Sequence, residues 1–262
     1  MTLVARIEGI GAIGPGFTGW PEAREILRGG AALAGRATAL PAPERLPAAE
    51  RRRVGKGVRV ALAAGLEAVA ASGRDARDCT AVFASSSADG DICSAICEVL
   101  ASEDRAVSPT RFHNSVHNAP GGYWGIATGS MKAADTLCAF DGSPVAGLLE
   151  AGARLAQQPG EPVVLVAHDA PYPEPLNALR PLPDAIAFAL ALAGGPGGGT
   201  RIRLALTDEP PTTLADPRLE ALRRGLPAAR LLPLLRLLAA GEAGRVVLAY
   251  FDGLSLAVEA GP

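Results

Sequence analysis

Aromatic side chains make up only 4% of this 262-residue chain, which leaves little with which to stack nucleic-acid bases. An excess of either charge is also missing: 25 Lys and Arg stand against 27 Asp and Glu, for a net charge of −2, so there is no electrostatic footprint of a nucleic-acid binder. Lysine occurs only as Lys56 and Lys132, and the positive charge is otherwise arginine, which reads as codon composition rather than as a site. No run approaches the ~18–20 consecutive apolar residues of a membrane span. The first residues, Met1 to Gly11, carry Arg6 and Glu8 in place of a signal-peptide core, so a cytoplasmic location is expected. Four cysteines (Cys79, Cys93, Cys97, Cys138) are too few for a disulfide scaffold in a chain this long and are expected to be reduced thiols. What is present is apolar material: 48% hydrophobic residues and 20% charged ones exclude disorder and predict one sizeable core.

Periodicity divides the chain into alternating elements. Thr2 to Ile13 alternates as a strand running into a bend at Gly14, Pro15 and Gly16. Between Glu50 and Ser72, Val54, Val58, Leu62, Leu66 and Val69 recur at intervals of four and three, which predicts a helix stopped by Gly73. Thr80 to Ala84 reads as a strand, Ser85 to Gly90 as a turn and Asp91 to Ser102 as a helix. Asn114 to Gly129 is a helix of small residues, Ala133 to Phe140 a short buried strand, and Ser143 to Gln158 a helix with Ser143 as N-cap and Pro144 in its first position. Pro162 to Asp169 is the most strand-like run. Asp184 to Ala193 and Thr200 to Thr207 flank the loop Gly194 to Gly199 and are expected to pair as an antiparallel hairpin. Asp216 to Ala240 is helical and Arg245 to Val258 adds further strand. Strands separated by helices predict an α/β fold, a mixed and mainly parallel sheet with helices on its faces. No linker divides it: residues 1–262 form one domain, with a core over 1–207 and a C-terminal helix and strand extension over 208–262.

Several motifs suggest chemistry that their context does not support. Gly9-Ile10-Gly11-Ala12-Ile13-Gly14 matches a dinucleotide fingerprint, but Pro15, Gly16, Gly19 and Pro21 delay any helix that could face a pyrophosphate, and no acidic strand end follows. His113 and His117 have the spacing of a helical zinc pair but lack a third ligand. Cys93 and Cys97, beside Ile92 and Ile96, read as small buried residues. His168-Asp169 ends a strand where α/β proteins place functional groups, and is weighed as a structural pair first. No cofactor and no metal is expected.

One constellation carries a functional reading. Ser108-Pro109-Thr110, then Ser115-Val116-His117-Asn118-Ala119-Pro120-Gly121-Gly122, then the short strand, the turn at Asp141-Gly142-Ser143, a helix, and the strand ending in Asp169 together resemble the N-terminal half of a β-ketoacyl synthase. The opening strand with Gly11, Gly14, Pro15 and Gly16 and the segment Phe83-Ala84-Ser85-Ser86 fall in the same order, so the resemblance spans Thr2 to about Thr207. It implies a thiolase-like fold, here a single half. In that family a nucleophilic cysteine caps the helix after the short strand. The turn before Pro144 aligns that position with Ser143, and the other candidate is Cys138. A serine gains no comparable ionisation from a helix dipole and needs a base. The family's catalytic histidines belong to its other half, and His113, His117 and His168 do not match their motifs. Condensation by this chain alone is therefore not expected.

A narrower resemblance is to the short, chain-length-factor-like subunits of aryl polyene pathways. It implies a heterodimer with a full-length β-ketoacyl synthase in type II fatty-acid or polyketide synthesis, and only indirect contact with an acyl carrier protein. The strand at Ala134, Asp135, Thr136, Leu137 and Cys138 would be the contact, joining its counterpart in the partner across the dimer axis. Two other readings stand beside it: an independent acyl-transferring or hydrolytic enzyme using Ser143 or Cys138, and a homodimeric acyl-binding module.

Overall fold

Inward Leu3, Ala5 and Ile7 alternate along the first strand with exposed Thr2 and Val4, buried Arg6 and half-buried Glu8, and this strand becomes the pivot of the sheet. The computed structural model describes residues 2–87 and 89–261. In chain order the elements are β1 (Thr2–Ile13), α1 (Trp20–Leu27), α2 (Ala48–Arg51), α3 (Lys56–Ser72), β2 (Thr80–Ala84), α4 (Gly90–Ala101), α5 (Pro109–Asn114), α6 (Ala119–Thr128) and β3 (Ala134–Leu137). Then come α7 (Ser143–Gln157), β4 (Val163–Asp169), α8 (Leu176–Leu179), β5 (Ile186–Ala193), β6 (Thr200–Thr207), α9 (Pro217–Gly225), α10 (Leu232–Ala240), β7 (Gly244–Phe251) and β8 (Leu254–Gly261). The helix expected over Glu50 to Ser72 is split, since the chain turns at Arg52 and α3 restarts after Gly55.

The strands form one eight-stranded sheet in the order β3-β2-β4-β5-β1-β6-β8-β7. It is mixed, as expected, but its balance differs from the expectation. Only β2–β3 and β2–β4 are parallel, while the other five pairs are antiparallel. The expected hairpin between β5 and β6 does not form, because β1 lies between them: Leu192 pairs with Ile7 and Arg201 with Arg6. The loop Gly194 to Gly199 instead arches across β1, from its pairing with β5 to its pairing with β6. Arg6 holds it there, donating to the carbonyls of Gly195 (2.8 Å), Gly194 (3.2 Å) and Gly198. The last strand segment also resolves differently. Two strands, β7 and β8, replace one, joined at Asp252-Gly253, where Gly253 adopts a φ of 72°.

β4 and β5 are buried along their whole length, with a core on each face. One holds Leu165, Ala167, Phe188 and Leu190 against α7 and α10. The other holds Val164, Val166, Ala187 and Ala189 against α3 and α6. Leu231, Leu232, Leu234 and Leu235 are buried in the first core and Leu237 and Leu238 pack on it, so the leucine-rich stretch serves this chain's own interior. The glycines of the dinucleotide-like string have a packing reason. A Cβ at Gly9 would meet the Ala68 carbonyl at 2.1 Å and one at Gly11 the Ala64 carbonyl at 2.0 Å, so α3 sits directly on the β1 backbone.

Candidate functional site

The sequence places candidate chemistry between β3 and α7, and this segment is a tight elbow. β3 ends at Leu137, and Cys138 to Gly142 then turn the chain into the helix. Gly142, not Ser143, is the N-cap; Ser143 and Pro144 are the first two helical residues, where a proline costs no hydrogen bond. Ser143 is fully buried. Its hydroxyl donates to the Phe140 carbonyl at 2.6 Å and accepts from the Ala139 amide at 3.0 Å, so both partners are backbone groups and no base is among them. The side chain expected to occupy a nucleophile position thus pins the turn. Cys138 is exposed just past the strand, its Sγ 3.6 Å from the Ser86 carbonyl.

The apex of the elbow is Phe140, which sequence reasoning missed. It is the one non-glycine residue with positive φ among the described residues, at 51°. That conformation costs about 1–3 kcal/mol and persists only where the surroundings over-determine it. Here the surroundings are a charge clamp. The Arg180 guanidinium lies 3.5 Å over the Phe140 ring and donates to Asp141 at 2.6 Å, while Arg230 reaches the other Asp141 oxygen at 3.0 Å. No local sequence signal marks Phe140, because the partners of its neighbour come from 39 and 89 residues away.

β3 itself pairs with β2 on one side, Ala81 with Ala134 through Ala84 with Leu137. Its other edge carries no strand among the described residues. Ala134 and Cys138 are exposed and Asp135, Thr136 and Leu137 half-buried, with Asp135 in an ion pair with Arg154. The Thr136 hydroxyl is buried without a hydrogen-bond partner.

His168 and Asp169 close β4 beside the end of β2 and, as consecutive strand residues, face opposite sides of the sheet. They do not pair with each other. Asp169 is buried and accepts from the Ser86 amide (2.9 Å), the Ser86 hydroxyl (2.6 Å) and the Ala228 amide (2.7 Å), tying three segments together. Burial nevertheless raises its pKa to about 6. His168 points the other way, its ring edge-on to Phe83, with neither ring nitrogen hydrogen-bonded. Burial, and then the neighbouring His117, push its pKa down to about 3, so it is a neutral imidazole. It borders a cavity of about 30 Å³ lined also by Gly57, Ser85, Asp89, His117 and Pro120, the share of volume of one water molecule and too small for an acyl chain. His113 lies in α5 and His117 beyond its end, so the pair does not share a helix face. Cys93 and Cys97 also depart from expectation: on α4 the first is half-buried and the second exposed. Among the described residues, no group of three or more His, Cys, Asp or Glu is placed to hold a metal ion, and no helix is long and apolar enough to cross a membrane.

Comparison with known proteins places this geometry. A family model described as "Beta-ketoacyl synthase, N-terminal domain" matches residues 28–251. No curated protein matches. Among solved structures, a ketosynthase in complex with its chain length factor from Xenorhabdus doucetiae is similar over 98% of this chain and 99% of that one, at 23% identity and a TM-score of 0.72. The ishigamide ketosynthase/chain length factor is similar over 98% and 99% of the two chains, at 12% identity and a TM-score of 0.73. A type II polyketide acyl-carrier protein in complex with its ketosynthase, bound to the hexaketide, is similar over 99% of each chain, at 10% identity and a TM-score of 0.75. At these identities the likeness establishes the fold, which is the thiolase-like one of these ketosynthases.

Proposed function

This chain belongs to the β-ketoacyl synthase N-terminal-domain family, and from that membership we propose that it is a non-catalytic, chain-length-factor-like subunit that pairs with an active ketosynthase. The observation that carries the reading is the elbow. A strained phenylalanine occupies its apex, and the one hydroxyl in the turn is buried and engaged with backbone. A condensing enzyme needs an activated nucleophile with groups that stabilise a carbanion and an oxyanion. Acylating Ser143 would remove the proton it donates to the Phe140 carbonyl and would require a fully buried oxygen to admit the acyl group.

The partner contact is the free edge of β3, at Ala134, Asp135, Thr136 and Leu137, with Cys138 just past its end. An unpaired strand edge exposes backbone donors and acceptors that a permanent partner satisfies. The likeness to a ketosynthase with its chain length factor and to a carrier-protein complex supports a type II fatty-acid or polyketide setting, with aryl polyene synthesis as its narrower form. Contact with the acyl carrier protein runs through the partner.

The test is reconstitution with a full-length ketosynthase from the same organism. A stable complex that condenses faster than the synthase alone is expected; no complex, with condensation equally fast without this chain, refutes the reading. The exposed thiol of Cys138 favours the alternative, an independent acyl-transferring or hydrolytic enzyme. Intact mass after incubation with an acyl thioester decides: an acyl adduct on Cys138 or Ser143 supports that alternative, and an unmodified chain supports the non-catalytic reading.

A further inference from the structure

The sheet has two outer strands, β3 at one end and β7 at the other. An outer strand presents a row of unpaired amides and carbonyls, a template for any other strand, and with eight residues β7 has the longer row. A chain open at both ends would add a second copy at each. The β3 edge of one copy against the β7 edge of the next is a head-to-tail contact, which builds rings or open filaments instead of a closed pair.

β7 is not left open. In an antiparallel ladder the N–H and C=O of one residue point to the same side, and successive residues alternate between the two sides. Both groups of Val247 are taken by Thr212: the Thr212 amide donates to the Val247 carbonyl at 2.8 Å, and the Thr212 hydroxyl accepts from the Val247 amide at 2.9 Å. Val247 therefore faces away from β8, and Thr212 lies on the outer edge at the middle of the strand. One residue fills both halves of a ladder position, its side chain standing in for a second backbone group. The segment that carries it, between β6 and α9, is tied down on either side. Upstream, Glu209 accepts from Arg245 of β7 at 2.8 Å. Downstream, Leu214 is buried and its amide donates to Glu220 of α9 at 3.0 Å. Pro210 and Pro211 precede Thr212 and have no amide hydrogen, so the segment that covers the edge makes a poor edge itself.

We infer that residues 209–214 are an edge guard, which denies β7 to a strand from a second copy of this chain and leaves β3 as the one edge open to pairing. The guard acts whichever protein pairs with β3. It confines association to one end of the sheet, so that assembly stops at a pair.

Two measurements on the full chain test the guard. In amide hydrogen exchange read by NMR, Thr212→Val removes the hydroxyl acceptor and is expected to speed exchange at Val247 by about tenfold or more, while Thr212→Ser keeps the parent rate and Leu248, whose amide faces β8, is unchanged in both. Equal exchange at Val247 in the parent and Thr212→Val overturns the inference. In sedimentation velocity the parent is expected to show no species above a dimer, whereas Thr212→Pro, which lacks both the hydroxyl and the amide hydrogen, forms larger species that grow with concentration. Adding Ala249→Lys, a charge on the β7 edge, is expected to remove them. A folded Thr212→Pro that sediments like the parent, or association undiminished by Ala249→Lys, also overturns the inference. The exchange comparison needs only the conservative variants and decides even where Thr212→Pro fails to fold.

Discussion

Replacing His168 with phenylalanine should make the protein more stable, and more so in acid. The imidazole is buried with both nitrogens unpartnered, and desolvated polar atoms left without hydrogen bonds cost about 1–3 kcal/mol. A phenyl ring keeps the edge-on packing against Phe83 and has the adjoining cavity to expand into. At pH 7 the expected gain is therefore about 1–3 kcal/mol. The acid contribution follows from linkage. The folded pKa of about 3 lies below the ordinary 6.5, so between these values the unfolded chain binds a proton that the folded one does not, and stability falls as pH is lowered. At pH 5 the gap is about 1.5 units, or about 2 kcal/mol at 1.36 kcal/mol per unit. The advantage of His168→Phe should thus grow by about 2 kcal/mol from pH 7 to pH 5. Urea unfolding at the two pH values, followed through the fluorescence of buried Trp124 beside Phe83, measures it. An advantage that stays constant between the two pH values, or a variant less stable at both, refutes the reasoning and means that the imidazole is hydrogen-bonded.

Asp169 has the opposite sign. Its folded pKa of about 6 exceeds the ordinary 3.8, so its contribution to stability is lost as pH rises through 6, and the difference between Asp169→Asn and the parent should move toward the variant by about 2 kcal/mol from pH 4 to pH 7 in denaturant titrations. Gly11→Ala should cost at least about 3 kcal/mol or prevent folding, since its Cβ would meet backbone, whereas Gly160→Ala, with nothing within 4 Å, should be neutral by thermal melting. Ser143→Ala should lower the denaturant midpoint by the equivalent of about 1–2 kcal/mol, because the Ala139 amide loses its acceptor. Phe140→Val should destabilise by about 1–3 kcal/mol more than Phe140→Gly, because a β-branched residue resists positive φ and glycine does not.

The sequence carried most of the strands and helices but not their neighbours. The alternation along Thr2 to Ile13 marked β1, and nothing local marked its insertion between β5 and β6, which is decided by pairings nearly 190 residues apart. For the same reason a plausible Gly194 to Gly199 hairpin misled: glycine signals a turn but not the span it crosses. Pro144 correctly located the start of α7, to within one residue of the cap. The elbow's apex at Phe140 stayed hidden because its strain is held by Arg180 and Arg230 from distant segments. Cys93 and Cys97 differ from expectation because an apolar helix ordinarily buries a face, and no residue of α4 is buried.

The central position of β1 also sets the order of events as the chain is made. Its twelve residues are made well before both flanking strands, which lie between Ile186 and Thr207, so β1 is complete long before it can find its place. Until then an apolar strand waits with two open edges. Closure over such long loops is slow, so the chain stays exposed to aggregation until β5 and β6 are made and β1 can insert between them.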